Sequence, residues 1–277
     1  MNRADVRVCV LLLEGTNCED ESAAYMRFLG AQAEKVHLKQ LTGEAPPEFR
    51  RQLADYDLLF LPGGFANGDY VRAGAIFAAR MKSKLGADLE DFVRSGRPVL
   101  GVCNGFQVLV EAGMLPALRG PMTDEPEAVL ATNDSAHYEC RPSYLKHENG
   151  GTCAFTRGLR RGEVRVFVSA HGEGKFLLPK EREREMLREL IDNDQVVFRY
   201  VDDQGRYAGY PWCPNGALDN IAAICNREGN VFGVQPHPER AFFRYLHPDW
   251  TRTGDPEAPG DGRAIFESAL DYAASKA

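Results

Sequence analysis

The chain has 277 residues, 44% of them hydrophobic, which is enough for a sizeable core and argues against disorder. Forty acidic against 33 basic residues leave a formal charge of −7, which speaks against a general nucleic-acid or membrane surface. Apolar runs stay well below the roughly 18–20 residues of a membrane span. The seven cysteines are odd in number and include no CxxC, so a reducing cytoplasm fits better than a disulfide framework, and no paired spacing suggests zinc.

In chain order, VRVCVLLL (6–13) reads as a buried strand; it is too short, and lacks the cleavage site, for a signal peptide. CEDESAAYMRFLG (18–30) reads as a helix with Ala24 and Phe28 on its apolar face and Gly30 as its stop. AEKVHL is a second strand, PEFRRQLADY (47–56) a helix, and DLLFL (57–61) a third strand ending at PGG. A long helical segment follows over 73–96, with a break expected near Gly86, and PVLGV (98–102) is a fourth strand. This alternation implies an α/β fold with a mainly parallel, doubly wound, flavodoxin-like sheet. From about 125, ECRPSYL, EVRVFVSA, QVVFRYV, IAAICN and VFGVQ are short strands between turn residues, an antiparallel extension of the same sheet. KEREREMLREL (180–190) is a solvated helix, 245–262 a long Pro/Gly-rich loop, and RAIFESALDYAAS a closing helix. The whole span 1–277 is expected to be one domain.

The sequence GVCNG places Cys103 on a glycine-flanked bend between strand and helix, the geometry of a nucleophile elbow. Gly101 and Gly105 leave room around it, and the Asn104 N–H can face a developing oxyanion. A free thiol is only about 3% thiolate at pH 7, so a base is required elsewhere. His237 in VFGVQPHPERAFF is the candidate, with Glu239 two residues on, where extended backbone would aim both side chains the same way. Cys9 and Cys225 lie in apolar runs and are expected in the core. His171, between a strand and glycines, is a further candidate.

These residues carry a family resemblance. GVCNGFQ with the distant QPHPER resembles the class I (triad) glutamine amidotransferases. EGTNCEDE, PGGFANGDYVRAGAI, SAHGEGKF and PNGALDNIAAICN narrow it to the glutaminase-subunit branch that serves phosphoribosylformylglycinamidine synthases in purine biosynthesis. The resemblance implies that Cys103 attacks the glutamine side-chain amide, His237 moves the proton and Glu239 orients His237. It implies Gly64 as the oxyanion donor paired with Asn104, and places Gln107, His171 and Gly172 beside the substrate. It also implies L-glutamine as substrate and, as partners, a large synthetase subunit with or without a small bridging one. No cofactor or metal is expected in this chain; ATP and Mg²⁺ would belong to the synthetase. The loop reads Phe65-Ala66-Asn67 where the family usually has Phe-Ser-Tyr, so no side-chain roles carry over there. Because the 63–68 loop is rich in glycine, its donor is expected to be the movable one. The competing readings are another class I amidotransferase, a cysteine hydrolase with the same elbow, and a non-catalytic glutamine-binding subunit. Covalent labelling by a glutamine-mimicking diazo ketone at Cys103 separates the last of these from an amidotransferase.

Overall fold

Four strand-like segments in the first hundred residues become four parallel strands in the computed structural model, which describes residues 1–252 and 255–276. Thr253 and Gly254, inside the loop expected at 245–262, and Ala277, the end of the expected one-domain span, lie outside the described residues. The strands are β1 (Arg7–Leu12), β2 (Gln32–His37), β3 (Leu58–Leu61) and β4 (Val99–Val102). They order as β2-β1-β3-β4, and β11 (Val231–Val234) pairs parallel to β4. This is the flavodoxin-like arrangement, and Leu58, Leu59, Phe60 and Leu61 are fully buried, as strands covered on both faces require. Beyond β11 the sheet continues antiparallel through β10 (Ile221–Cys225), β9 (Val196–Val201), β6 (Glu139–His147) and β7 (Val164–His171).

The helices are α1 (Glu19–Phe28), α2 (Leu38–Leu41), α3 (Ala75–Arg94), α4 (Asn104–Glu111), α5 (Glu183–Asp192) and α6 (Arg263–Lys276). Three expectations about them need correction. The helix expected over 47–56 is replaced by two 3-10 turns, Pro47–Phe49 and Leu53–Asp55. Arg51 and the Tyr56 hydroxyl both bond Glu34 on β2, which draws that segment along the sheet edge in place of coiling it. Nor does α3 break at Gly86; it runs unbroken for 20 residues. The buried face of α1 is Ser22, Ala23 and Met26, whereas Ala24 and Phe28 are exposed. The Phe28 ring instead packs edge-on to Phe242 and Phe243. Two strands were not anticipated: β5 (Val129–Thr132) and β8 (Glu173–Leu177) form a separate antiparallel pair. Cys9 and Cys225 are fully buried in β1 and β10, as their apolar runs required. Among the described residues, no helix is long and apolar enough to cross a membrane.

Strand β7 lies four places from β11 in the sheet order, about 19 Å away were the sheet flat. Yet Val168 of β7 forms a β-bridge with His237, just beyond β11. The antiparallel half therefore curls over the carboxyl ends of the parallel strands. A site is built beneath it.

Candidate active site

The bend at Cys103 exists because its surroundings admit no other residues. Cys103 has φ 49° and ψ −106°, an unfavourable backbone for an L-residue, which costs on the order of 1–3 kcal/mol. Its N–H donates to the Val234 carbonyl (2.9 Å), and its own carbonyl accepts the Gln107 N–H (3.0 Å), so β11 and α4 both hold it. A Cβ on Gly105 would lie 1.9 Å from the Leu61 carbonyl oxygen; one on Gly101 would lie 2.7 Å from the Gly105 carbonyl oxygen. One on Gly233 would lie 2.0 Å from the Phe106 ring. Three glycines thus let β3, β4, β11 and α4 meet at backbone distance, and the sulfur is left at the tip. Cys103 is 5% exposed, with its Sγ 3.7 Å from the Ala170 carbonyl and 3.8 Å from Gln235 Nε2.

His237 arrives on the segment after β11. Its N–H donates to the Val168 carbonyl (2.8 Å), and its Nδ1 bonds Glu239 Oε1. The contact with Glu239 is the expected one, but not for the expected reason. Pro238 is in the right-handed helical region and Glu239 opens a 3-10 turn, so a turn rather than extended backbone brings the carboxylate to the ring. The two residues are 3% and 1% exposed. Burial opposes protonation of His237, yet the Glu239 carboxylate and then the Cys103 and Cys18 sulfurs hold the imidazole well above its ordinary pKa. His237 Nε2 has no hydrogen-bond partner among the described residues. Cys103, His237, Asn17, Cys18, Gly64, Phe65, Tyr138, Ala170 and Arg240 line one cavity of about 30 Å³.

Gly64, at φ 151°, sits opposite the elbow with its own Cβ direction closed off by the Asn17 N–H at 2.8 Å. The loop around it is pinned by Phe65 N–H to the Gly15 carbonyl (2.9 Å) and Asn67 N–H to the Glu14 carbonyl (2.8 Å). Ala66 N–H donates to Asn104 Oδ1 (3.2 Å), which ties the loop to the elbow itself. Among the described residues, neither the Gly64 nor the Asn104 N–H donates a hydrogen bond. Gln107 is placed behind the elbow. Its Oε1 accepts from Asn104 Nδ2 (2.9 Å) and its Nε2 donates to the Glu173 carbonyl, so both ends of its amide are engaged.

His171 ends β7 and is 2% exposed, with Nδ1 3.2 Å from Asn133 Oδ1 and Nε2 unpartnered among the described residues. Burial, with nearby His237 adding, lowers its pKa to about 3, so its ring is neutral at working pH. Gly172 is held by its carbonyl, which accepts the Asn133 N–H (2.9 Å). Gln107, His171 and Gly172 are not among the residues lining the Cys103 cavity. Cys18, Tyr138 and Arg240 line it and were not singled out in the sequence; Cys18 and Arg240 lie inside EGTNC and PHPER, and only three-dimensional proximity reveals them.

Residues 5–273 match the family model of the CobB/CobQ-like glutamine amidotransferase domain. A relative from Archaeoglobus fulgidus, named phosphoribosylformylglycinamidine synthase subunit PurQ, is 51% identical over 275 residues, 98% of each chain. One from Picrophilus torridus with the same name is 42% identical over 260 residues, covering 94% of this chain and 96% of its own. Among solved structures, PurLQS from Thermotoga maritima contains a chain that is 29% identical and superposes with a TM-score of 0.70, over 96% of this chain and 98% of that one. The glutaminase domain of Trypanosoma brucei CTPS, at 14% identity, TM-score 0.50 and coverage of 96% and 94%, shares the fold.

Proposed function

The chain belongs to the family of CobB/CobQ-like glutamine amidotransferase domains, and from that premise we propose that it is the glutaminase subunit of a phosphoribosylformylglycinamidine synthase. It hydrolyses L-glutamine to glutamate and ammonia, and the ammonia goes to a synthetase subunit that amidates formylglycinamide ribonucleotide with ATP in purine biosynthesis. The near full-length identity to two proteins named PurQ supports the pathway. The PurLQS structure supports a synthetase partner and a small third subunit. ATP and Mg²⁺ belong, on this reading, to the synthetase. One domain over 1–277 and a cytoplasmic setting are part of the same proposal; the seven free cysteines fit a reducing compartment.

The observation that carries the chemistry is a sulfur on a strained elbow in one cavity with His237, whose ring is bonded by the buried Glu239 carboxylate. We assign Cys103 as nucleophile, His237 as acid–base and Glu239 as its orienting carboxylate. The Cys103 sulfur adds to the side-chain amide carbon of glutamine while its proton passes to His237. Charge develops on the amide oxygen, for which the undonated N–H groups of Asn104 and Gly64 are the assigned partners. The tetrahedral carbon then releases nitrogen, and His237, held protonated by Glu239, gives it the proton that makes it ammonia. Water attacks the remaining thioester with His237 as base, and glutamate leaves. Gln107, through Asn104, serves the elbow's geometry.

The test is Cys103→Ala in the assembled synthase. Glutamine-dependent product formation is expected to vanish while added ammonium chloride still supports it. Loss of both activities in a complex that still assembles would remove Cys103 from the ammonia-releasing step.

A further inference from the structure

The cavity holds a second sulfur, which helps to raise the His237 pKa but forms no bond to the substrate in the hydrolysis above. Cys18 precedes α1 and is 2% exposed. Its Sγ, a ring nitrogen of His237 and a carboxylate oxygen of Glu239 lie within 4.8 Å of one another. Gly63 makes this approach possible: a Cβ there would stand 2.6 Å from His237 Cε1 and 3.3 Å from Cys18 Sγ. Two further atoms in the cluster lack a partner among the described residues, His237 Nε2 and Glu239 Oε2, and both belong to residues at least 97% buried. Buried polar atoms without partners are rare and need a reason.

We propose that this cluster is an inhibitory zinc site, in which Zn²⁺ held by Cys18, His237 and Glu239 takes the base away from Cys103. The donor set decides the metal. Thiolate with imidazole and one carboxylate suits a borderline-soft, tetrahedral ion, whereas Mg²⁺ demands near-octahedral oxygen. Ligand atoms on one tetrahedral zinc lie about 3.5 Å apart given Zn–S near 2.3 Å and Zn–N near 2.0 Å, so Cys18 Sγ needs to draw in, while His237 Nδ1 and Glu239 Oε1, which share a hydrogen bond without the metal, need to part if both ligate it. Cys18 and His237 line the same cavity as Cys103, so an ion held by them stands beside the nucleophile. Arg240, whose Nη2 lies 3.4 Å from Cys18 Sγ, opposes a cation there, but its side chain is 44% exposed and already reaches toward Glu21. Binding breaks the Cys18 S–H bond and, where His237 is protonated, a ring N–H bond. It forms Zn–S, Zn–N and Zn–O bonds and releases up to two protons, so affinity falls in acid. The sites are assembled from separate segments, which is why no metal-ligand spacing is visible in the chain.

The binding half of this proposal stands on geometry alone; the inhibition half rests on the glutaminase function. Both are read on the full chain in a Cys140→Ser background, because Cys140 is the exposed thiol and would bind metal on its own. Calorimetry with zinc chloride in two buffers of different ionisation heat is expected to give one ion per chain with proton release. Cys18→Ser should weaken that binding at least tenfold, since even outer-shell partners are worth about 10–100-fold. Metal-free melting of the variant reports that its fold is intact. In the assembled synthase with Mg²⁺ in excess, zinc should suppress glutamate release from glutamine in the parent, a zinc-selective chelator should restore it, and Cys18→Ser, read against its own zinc-free rate, should resist at least tenfold more zinc. Excess Mg²⁺ should do nothing to either protein. Equal zinc affinity with and without Cys18, or no stoichiometric binding, overturns the site. Binding through Cys18 with glutamate release unchanged at saturation overturns its inhibitory role. A complex with no glutaminase activity before zinc is added overturns the function proposed above and leaves the binding result standing.

Discussion

The two backbone segments that face each other across the candidate site are both rich in glycine, and they are held by different physics. At the elbow, 101–105, Cβ atoms on the glycines would lie 1.9–2.8 Å from main-chain atoms of neighbouring elements or of the turn itself. Steric exclusion therefore fixes Cys103. In the loop at 63–69, Gly63 and Gly64 are closed in the same way, with a Cβ 2.6 Å from His237 Cε1 and 2.8 Å from Asn17 N, but the tip is open: Asn67, Gly68 and Asp69 all have positive φ, and a Cβ on Gly68 would meet only the Tyr70 ring, whose residue is 89% exposed. Hydrogen bonds to Gly15, Glu14 and Asn104 fix the stretch that leads into that tip. Glycine content alone makes the two look alike. Close packing fails abruptly when violated, whereas a bonded loop loses a little with each bond.

The largest effect should come from breaking the elbow. Gly105→Ala puts a methyl group onto the Leu61 carbonyl oxygen, an atom of a fully buried strand that cannot step aside. At least about 3 kcal/mol of destabilisation is expected, a fall in melting temperature of roughly 6–12 °C for a chain of this size. Glutaminase activity in the complex should vanish with it. A variant that melts within a degree or two of the parent would mean the elbow is not fixed by contact.

Next in size is Glu239→Gln, which keeps the shape of the pair and removes its charge. Protonated His237 then loses the carboxylate that outweighs its burial, and glutamine turnover should fall about 10³–10⁴-fold. Labelling of Cys103 by a diazo ketone analogue of glutamine should slow less, because that attack needs one proton transfer and not a full cycle. Turnover within tenfold of the parent would show that another group orients the imidazole.

The parallel half of the fold and the geometry of the elbow were legible in the sequence because both are local. Continuous apolar runs mark strands buried on two faces, and glycines two residues either side of Cys103 mark a bend with no space. What was not legible depends on partners distant in the chain. Ala24 and Phe28 suggested the wrong face of α1 because Phe242 and Phe243, far away in sequence, supply the rings that Phe28 packs against. The β5–β8 pair joins short segments around Ala131 and Lys175 with little periodicity of their own. His237 and Glu239 were paired correctly on a mistaken premise, since proline rigidity produced a turn and not an extended strand. Cys18 came to the site only because β1 and β3 are neighbours in the sheet.

Gly68→Ala should show how forgiving the loop is. The new methyl group meets the edge of an exposed, movable tyrosine, so the expense is that of a left-handed backbone, about 1 kcal/mol. Glutamine turnover should stay within about threefold of the parent. A loss as deep as that of Gly105→Ala, measured side by side, would erase the contrast between the two segments.

The smallest effect, and the most specific, belongs to Asp69 at the end of the loop. Burial pushes its pKa up to about 6; Glu173 adds to this, while a backbone hydrogen bond from Gly74 and the Asn104 amide, 3.3 Å away, work against it. An unfolded aspartate loses its proton near 3.9, so between about pH 4 and 6 the folded chain binds more protons than the unfolded one. Stability from this group therefore falls as pH rises through that window, and above it the penalty of holding the charge is constant. Asp69→Asn removes the charge, keeps an oxygen to accept from Asn104, and suits the φ of 52° better than most side chains. Urea unfolding should find the variant more stable than the parent by on the order of 1 kcal/mol at pH 8, allowing for partial exposure, with most of the gain gone by pH 4. Turnover should change by less than about twofold, because the N–H groups assigned to the oxyanion are main-chain atoms held by other bonds. A gain of equal size at both pH values would assign the whole effect to backbone preference and leave the Asp69 charge without a part in holding the loop.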